Sequence, residues 1–145
     1  MAKIEKSIEI KASPEKVWPM VLWDRIPEWY DDFKKVQYTS KEKHKVGSTV
    51  HVIAETAGMK AEWDAEITEA IENEKGAWRT TGGSFTGFGS VTLSPTKAGT
   101  KVTIAMDYEL PYSVLGKLID KLRVHKALEK GNERGLEKLK GMLEK

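Results

Sequence analysis

Cysteine is absent from this 145-residue sequence, and its absence excludes several kinds of chemistry. The chain has no disulfide framework, no thiolate nucleophile and no metal site built on sulfur. His44, His51 and His125 are its only histidines, and no two of them have the spacing of paired metal ligands. We therefore expect neither a metal nor a cofactor, and we expect the cytoplasm as the compartment.

Long apolar runs are also missing. No stretch approaches the roughly 20 apolar residues that span a membrane, so integral membrane association is not expected. Residues 1–13 lack the apolar core of a secretory signal, which again favours the cytoplasm. The formal net charge is only +2, and most basic residues are lysines interleaved with glutamates. Nucleic-acid binding, which needs a basic stripe or patch, is not expected either.

The length suits one domain with one core, so residues 1–145 are treated as a single domain. Residues 4–11 alternate apolar and polar side chains, which predicts a strand with one polar exception at Lys6. Ser13 and Pro14 then supply an N-cap and a first helical position. A second short helical piece is predicted around residues 24–32.

A series of strands fills the middle of the chain. The segments between them are too short for parallel crossovers, so the strands must pair as antiparallel hairpins. Apolar and acidic side chains alternate over residues 62–67, which indicates one buried and one solvated face. The predicted strands cover residues 36–40, 48–56, 60–71, 77–81, 85–93 and 101–110.

An amphipathic helix is predicted from about Tyr112 to Lys145. Its apolar stripe changes face near Arg123, which indicates a kink or a short lead-in piece. Gly131 and Gly135 lie on the apolar face, where each costs about 1 kcal/mol relative to alanine. Close approach of the sheet or space for a ligand would explain that cost. One helix covers such a sheet only if the sheet curls around it and encloses an apolar cavity.

This order predicts an α+β helix-grip fold. About seven curved antiparallel strands wrap around a long C-terminal helix, with two short helices after the first strand. Several motifs, taken in order, resemble the START-like superfamily, also called SRPBCC, and its polyketide cyclase/dehydrase and lipid-transport group. The resemblance covers essentially the whole chain and implies the fold, which binders, carriers and enzymes share. Its motifs are Ala12-Ser13-Pro14-Glu15-Lys16-Val17-Trp18, Pro27-x-Trp29, Trp63-x-Ala65-x-Ile67, Gly89-x-Val91-x-Leu93, Gly99-Thr100-x-Val102 and Leu136-x-x-Leu139-Lys140.

The glycine pairs and a set of acidic residues in the strand region are interpreted as structural features. Gly82-Gly83 and Gly87-x-Gly89 lie between strands, whereas a phosphate-binding loop follows a strand and opens a helix. We interpret both as turn and strand-curvature glycines. Four acids at nearly alternate positions are predicted on the solvated face of the sheet: Glu62, Asp64, Glu66 and Glu69.

The histidines have separate predictions. His44 lies in a lysine-rich turn and is expected on the surface. His51 faces outward if Val50 and Val52 face inward, which is the register we favour; the opposite register places it in the cavity. His125 lies where the terminal helix changes face, and a structural role is expected.

The leading functional hypothesis is binding or transport of a small apolar molecule, lipid-, isoprenoid- or polyketide-like, in the cavity. The predicted ligand-binding residues are Trp63, Trp78, Met106, Tyr108, Leu128 and Gly131. The residues predicted to be largely buried are Trp18, Ile67, Val102, Ile104, Leu128 and Leu139.

Two other function classes stay open. A cyclase/dehydratase-type enzyme would need an acid–base group in the cavity, and the catalytic residues are not identified. The available groups are His51, Tyr108, Tyr112 and His125, and none matches a family catalytic motif. A co-chaperone-like interaction module would instead need an exposed apolar patch. The ligand's identity and the oligomeric state are not predicted.

Overall fold

The computed structural model describes residues 2–109 and 118–145, and they form the predicted order of elements. The strands are β1 (Ala2–Ile10), β2 (Phe33–Tyr38), β3 (Thr49–Thr56), β4 (Met59–Ile71), β5 (Lys75–Gly83), β6 (Thr86–Pro95) and β7 (Thr100–Glu109). The helices are α1 (Pro14–Val17), two 3₁₀ helices (Trp18–Val21 and Trp23–Glu28) and α2 (Leu118–Leu143). The predicted strand end at Leu110, the predicted helix start at Tyr112 and the Tyr112 hydroxyl lie outside the described residues.

These strands form one antiparallel sheet in the order β1-β7-β6-β5-β4-β3-β2. From β2 to β7 each strand pairs with its neighbour in sequence, as the hairpin-length spacers predict. Ala57 and Gly58, with φ of 55° and 76°, join β3 to β4 in the left-handed conformation that a tight hairpin turn requires. The curled sheet grips α2, and the predicted α+β helix-grip fold is confirmed.

Strict alternation places the core on the concave face of the sheet. Val50 and Val52 of β3 are fully buried, and they pair with Ala65 and Trp63 of β4. His51, which lies between Val50 and Val52, therefore faces outward. The favoured register of this strand is confirmed.

Helix α2 covers the concave face with the part of its apolar stripe that follows Arg123. Val124, Leu128 and Leu139 are buried, whereas Leu122 is 62% exposed. The helix is continuous through Arg123, so the change of face occurs without a separate lead-in piece ending there. None of the helices in the described part of the chain has the length and apolarity needed to cross a bilayer.

Lys6, the polar exception in β1, is explained by its position under α2. Its ammonium lies 2.8 Å from Glu133 and 3.3 Å from Glu129, both on the helix. A second lysine ties the same two elements together, because Lys140 donates to the carbonyl of Glu9 at 2.9 Å. The first strand and the last helix are thus joined by polar contacts along the edge of the core.

The core prediction holds for four residues and fails for two. Ile67, Val102, Leu128 and Leu139 are buried. Trp18 and Ile104 are only half-buried, because both border a cavity between the sheet and the helix.

Candidate functional site

A cavity of about 220 Å³ lies between the concave face of the sheet and α2. Its walls come from both 3₁₀ helices, from β2 to β7 and from α2. Most of its lining side chains are aromatic or aliphatic. An enclosed apolar space with few polar groups is the usual form of a small-molecule site.

Four of the six predicted ligand-binding residues line this cavity: Trp63, Trp78, Met106 and Leu128. Tyr108 and Gly131 are not among its lining residues. The Tyr108 side chain is buried, and its hydroxyl lies 2.7 Å from His125 Nδ1. Gly131 faces Asp32 instead, so its place on the helix reflects close packing at this point. Ligand contact by any of the six residues stays a prediction.

Stacked and edge-on aromatic rings form a connected part of the cavity wall. Phe33 lies between Trp23, at 6.1 Å between ring centroids, and Trp63, at 5.6 Å. Trp63 in turn meets Phe85 at 4.9 Å, and Trp23 meets Trp78 at 5.8 Å. Such offset and edge-to-face pairs add stability beyond the buried area. Packed aromatic rings therefore form one connected part of the cavity lining, beside the aliphatic side chains.

Three aromatic residues that line the cavity were not among those predicted from the sequence: Trp23, Phe33 and Phe85. Trp23 opens the second 3₁₀ helix, where strand alternation does not apply, and Phe33 is the first residue of β2, just before a shift in that strand's register. Phe85 lies between β5 and β6 and is buried, although it belongs to neither strand. Their size and apolarity were the available signal, and only the curvature of the sheet brings them to one place.

Tyr38 and His44 mark a rim where the cavity meets solvent. Both line the cavity, Tyr38 is half-buried and His44 is exposed. The Tyr38 hydroxyl lies 2.8 Å from His44 Nδ1, and Asp24 is 3.9 Å from the other ring nitrogen. Burial raises the pKa of Tyr38 to about 12, so this hydroxyl stays protonated at neutral pH. His44 is at the surface as expected, but it also belongs to the site.

His51 lies on the outer face of the sheet, away from the cavity. Its Nδ1 is 2.9 Å from Asp64 Oδ1, and its Nε2 is 3.0 Å from Glu62 Oε2. A carboxylate only accepts hydrogen bonds, so both contacts are satisfied together when the imidazole carries two protons. The hydrogen bonds to Asp64 and Glu62 raise the pKa of His51 above its ordinary value of 6.5. Asp64 and Glu62 are on the outer face of β4, as predicted. The same prediction is wrong for Glu69, which lies two residues after the inward-facing Ile67 and therefore lines the cavity.

His125 has the structural position expected for it. Its Nδ1 contacts the Tyr108 hydroxyl, and its Nε2 lies 3.4 Å from Glu129 one turn along α2. Its ring stacks on Tyr108, with centroids 5.9 Å apart. Neither His125 nor Tyr108 lines the cavity, so these two candidate acid–base groups lie outside it.

Comparison with known proteins shows that the chain matches one protein family over nearly its whole length. The model of the family described as polyketide cyclase / dehydrase and lipid transport matches residues 1–144. An uncharacterized 17.2 kDa protein of Streptomyces lincolnensis is 31% identical over 146 residues, which cover 99% of this chain and 91% of that protein.

Solved structures give the same fold. A START superfamily protein from Mycobacterium smegmatis has a TM-score of 0.77 at 19% identity, covering 98% of this chain and 97% of that chain. The Zhui aromatase/cyclase from a Streptomyces species has a TM-score of 0.79 at 17% identity, covering 99% and 93%. At these identities the likeness is one of fold.

Proposed function

This chain belongs to the polyketide cyclase / dehydrase and lipid transport family of START-like proteins, and we propose from that premise that it binds a compact, mainly apolar molecule. The observation that carries the proposal is the cavity of about 220 Å³ walled by stacked aromatic rings. Burying apolar surface against such a wall is favourable by roughly 25 cal/mol per Å². Binding requires only an apolar cavity of suitable size, whereas catalysis would also require a positioned acid–base group.

The cavity's volume narrows the class of ligand. Small-molecule sites usually enclose about 300–1,000 Å³, so a cavity of about 220 Å³ lies below that range. An apolar cavity of about 150 Å³ is known to hold benzene. We therefore place the ligand at one or two rings, or an isoprenoid of similar size, rather than a long acyl chain.

Tetralin, a two-ring hydrocarbon, tests the proposal directly by isothermal titration calorimetry. We expect the parent to bind it, and we expect Ala54→Leu, which adds bulk at a buried cavity-lining position, to weaken binding at least about tenfold. Ala98→Leu, on the exposed turn between β6 and β7, is the matched control and should bind like the parent. No binding by the parent, or unchanged binding by Ala54→Leu, would contradict the proposal.

Native mass spectrometry of freshly purified protein gives an independent test. A co-purified apolar compound of this size supports the proposal. A co-purified charged or strongly polar metabolite counts against it, because the described lining offers few groups to solvate a buried charge.

A cyclase-type activity is the second candidate, and one observation favours it. Tyr38 and His44 form a hydrogen-bonded pair at the cavity rim, where a histidine can accept or return a proton. A fold neighbour is an aromatase/cyclase. If the protein is such an enzyme, Tyr38→Phe and His44→Gln should abolish turnover of a short β-diketone substrate that fits the cavity, and both variants should still bind tetralin. Turnover that survives both substitutions would remove this pair from the mechanism.

A further inference from the structure

Asn132 is a polar side chain on the face of α2 that packs against the sheet. It is 5% exposed, and its neighbours one turn away on the same face, Leu128 and Leu136, are also buried. Glu133 and Arg134, which follow it in the chain, are exposed. Leucine would suit this position better, because it is the better helix former and buries no polar group. A carboxamide at this position therefore costs stability that an apolar side chain would not.

The Asn132 carboxamide is open to the cavity. In the described part of the chain, the side chains of α2 that form hydrogen bonds are those of Arg123, His125, Glu133, Lys138 and Lys140, and Asn132 is not among them. Nor is its carboxamide among the unpaired polar atoms that are sealed in the core, as Nε1 of Trp63 is. The carboxamide therefore keeps accessible surface. Because Asn132 is buried and lines the cavity, that surface belongs to the cavity.

We propose that the ligand carries a neutral group in which a hydrogen-bond donor lies beside an acceptor, as in a lactam, and that this group pairs with the Asn132 carboxamide. This inference rests on the proposed function and adds to it the chemistry of recognition. A carboxamide has one oxygen acceptor and an NH₂ donor, so it matches such a group with two hydrogen bonds. A hydrocarbon of the same size would cover the carboxamide and leave it unpaired, which is costly.

A neutral group fits this site better than an ionised one does. Besides His44 at the rim, the ionisable side chains of the described lining that carry a charge are Lys60 and Glu69. Lys60 is exposed at the start of β4, and Glu69 is paired with Lys75 at 2.8 Å. An ionised group beside Asn132 would be desolvated, and a carboxamide cannot neutralise its charge. That penalty is far larger than the cost of burying a paired amide.

Three two-ring compounds of similar size test the inference by calorimetry. Tetralin has no hydrogen-bonding group, 1-tetralone only accepts, and the lactam dihydrocarbostyril has an N–H beside its carbonyl. Each is titrated into the parent, into Asn132→Leu, which removes the carboxamide at similar volume, and into Met106→Leu, which alters another lining residue. The ratio of lactam to tetralin affinity should fall about tenfold or more in Asn132→Leu. It should stay at the parent value in Met106→Leu, and the tetralone ratio should fall less than the lactam ratio.

The outcomes separate this inference from the proposed function. If the parent binds tetralin and the lactam, and Asn132→Leu leaves their affinity ratio unchanged, the pairing is refuted while apolar binding stands. The same holds if the parent binds tetralin and rejects the lactam. If the parent binds none of the three compounds, the proposed function fails and the inference fails with it.

The stability of the ligand-free variant tests whether Asn132 has a structural role instead. Asn132→Leu replaces an unpaired buried polar group by an apolar one of similar shape, so its urea midpoint should equal or exceed that of the parent. A midpoint well below that of the parent would show that the carboxamide forms a hydrogen bond on which the fold depends, and would overturn the inference.

An NMR measurement on the parent needs no variant. The sequence has two asparagines, Asn73 and Asn132, so selective ¹⁵N labelling of asparagine gives two side-chain NH₂ groups. Asn73 lies in the turn between β4 and β5 and is the internal reference. The NH₂ resonance of Asn132 should move downfield with the lactam and much less with tetralin, while that of Asn73 stays in place. Equal shifts of Asn132 with the two compounds would show that its carboxamide does not pair with the lactam.

Discussion

A Cβ atom on Gly131 would lie 2.6 Å from Oδ2 of Asp32. That contact is shorter than real Cβ atoms make, so the glycine lets α2 approach the segment that leads into β2. The same carboxylate accepts a hydrogen bond from the Thr56 hydroxyl at 3.1 Å, which ties this segment to the end of β3. Gly131 therefore leaves room for the Asp32 carboxylate in the position where it bonds Thr56, although alanine is the better helix former.

We predict that Gly131→Ala lowers the free energy of unfolding by roughly 1–3 kcal/mol, because Asp32 must turn away and lose its bond to Thr56. Urea denaturation measures this change. Gly141→Ala on the same helix is the control: nothing lies within 4 Å of its added Cβ, so a gain of up to about 1 kcal/mol is expected. Equal effects of the two substitutions would contradict the contact with Asp32.

His51 should make stability depend on pH near neutrality. Asp64 and Glu62 raise its pKa in the folded protein above 6.5, its value in the unfolded chain. The stabilisation is therefore fully present below pH 6.5 and is lost as the pH rises through the raised pKa. A titration of the His51 ring protons by NMR should give that raised value, and Asp64→Asn should lower it. A parent value at or below 6.5 would be inconsistent with imidazole–carboxylate bonding.

Burial of three tyrosine side chains should lower the free energy of unfolding in alkali. Burial raises the pKa of Tyr38 and of Tyr108 to about 12, and burial also raises the pKa of Tyr30. In the unfolded chain a tyrosine ionises near pH 10, so the stabilisation present below pH 10 is lost as the pH rises toward 12. Absorbance at 295 nm should show most of the tyrosine ionisation above pH 11 in the native protein and near pH 10 in denaturant. A native transition centred at pH 10 would contradict the burial of these hydroxyls.

Two leucines of α2 should separate stability from binding. Leu128 and Leu139 are both buried, and only Leu128 lines the cavity. Each substitution by alanine should cost roughly 2–5 kcal/mol in denaturant unfolding. Leu128→Ala should also enlarge the cavity and admit a three-ring hydrocarbon that the parent excludes. Leu139→Ala, as the matched control, should keep the ligand range of the parent.

The sheet was predictable because its signals are local. Alternation in residues 50–54 and 62–67 fixed the inward faces of β3 and β4, and with them the outward direction of His51. Short spacers fixed the antiparallel pairing, and the stripe of α2 from Val124 to Leu139 fixed its buried side.

The site was only partly predictable because it is made by contacts between distant segments. Nothing near Tyr38 or His44 in the sequence indicates that they line the same cavity as Trp63. The closeness of Gly131 and Asp32 depends on how far the sheet curls, which no local pattern records. Tyr108 follows the inward alternation of β7, but its hydroxyl is directed to His125. Alternation predicts a face, and it does not predict which partner a side chain meets there.

The pairing of β1 with β7 has a consequence for how the protein is made. Ile4 pairs with Met106, and Lys6 reaches Glu133, so β1 can dock only after β7 and α2 have been synthesised. Hairpins between β2 and β7 are local and can form early, whereas closing so long a loop is slow. Until α2 is complete, the nascent chain has an open sheet and no enclosed space. If the protein binds a small apolar compound as we propose, that binding follows the docking of β1 and α2, and the ligand then stabilises the closed form.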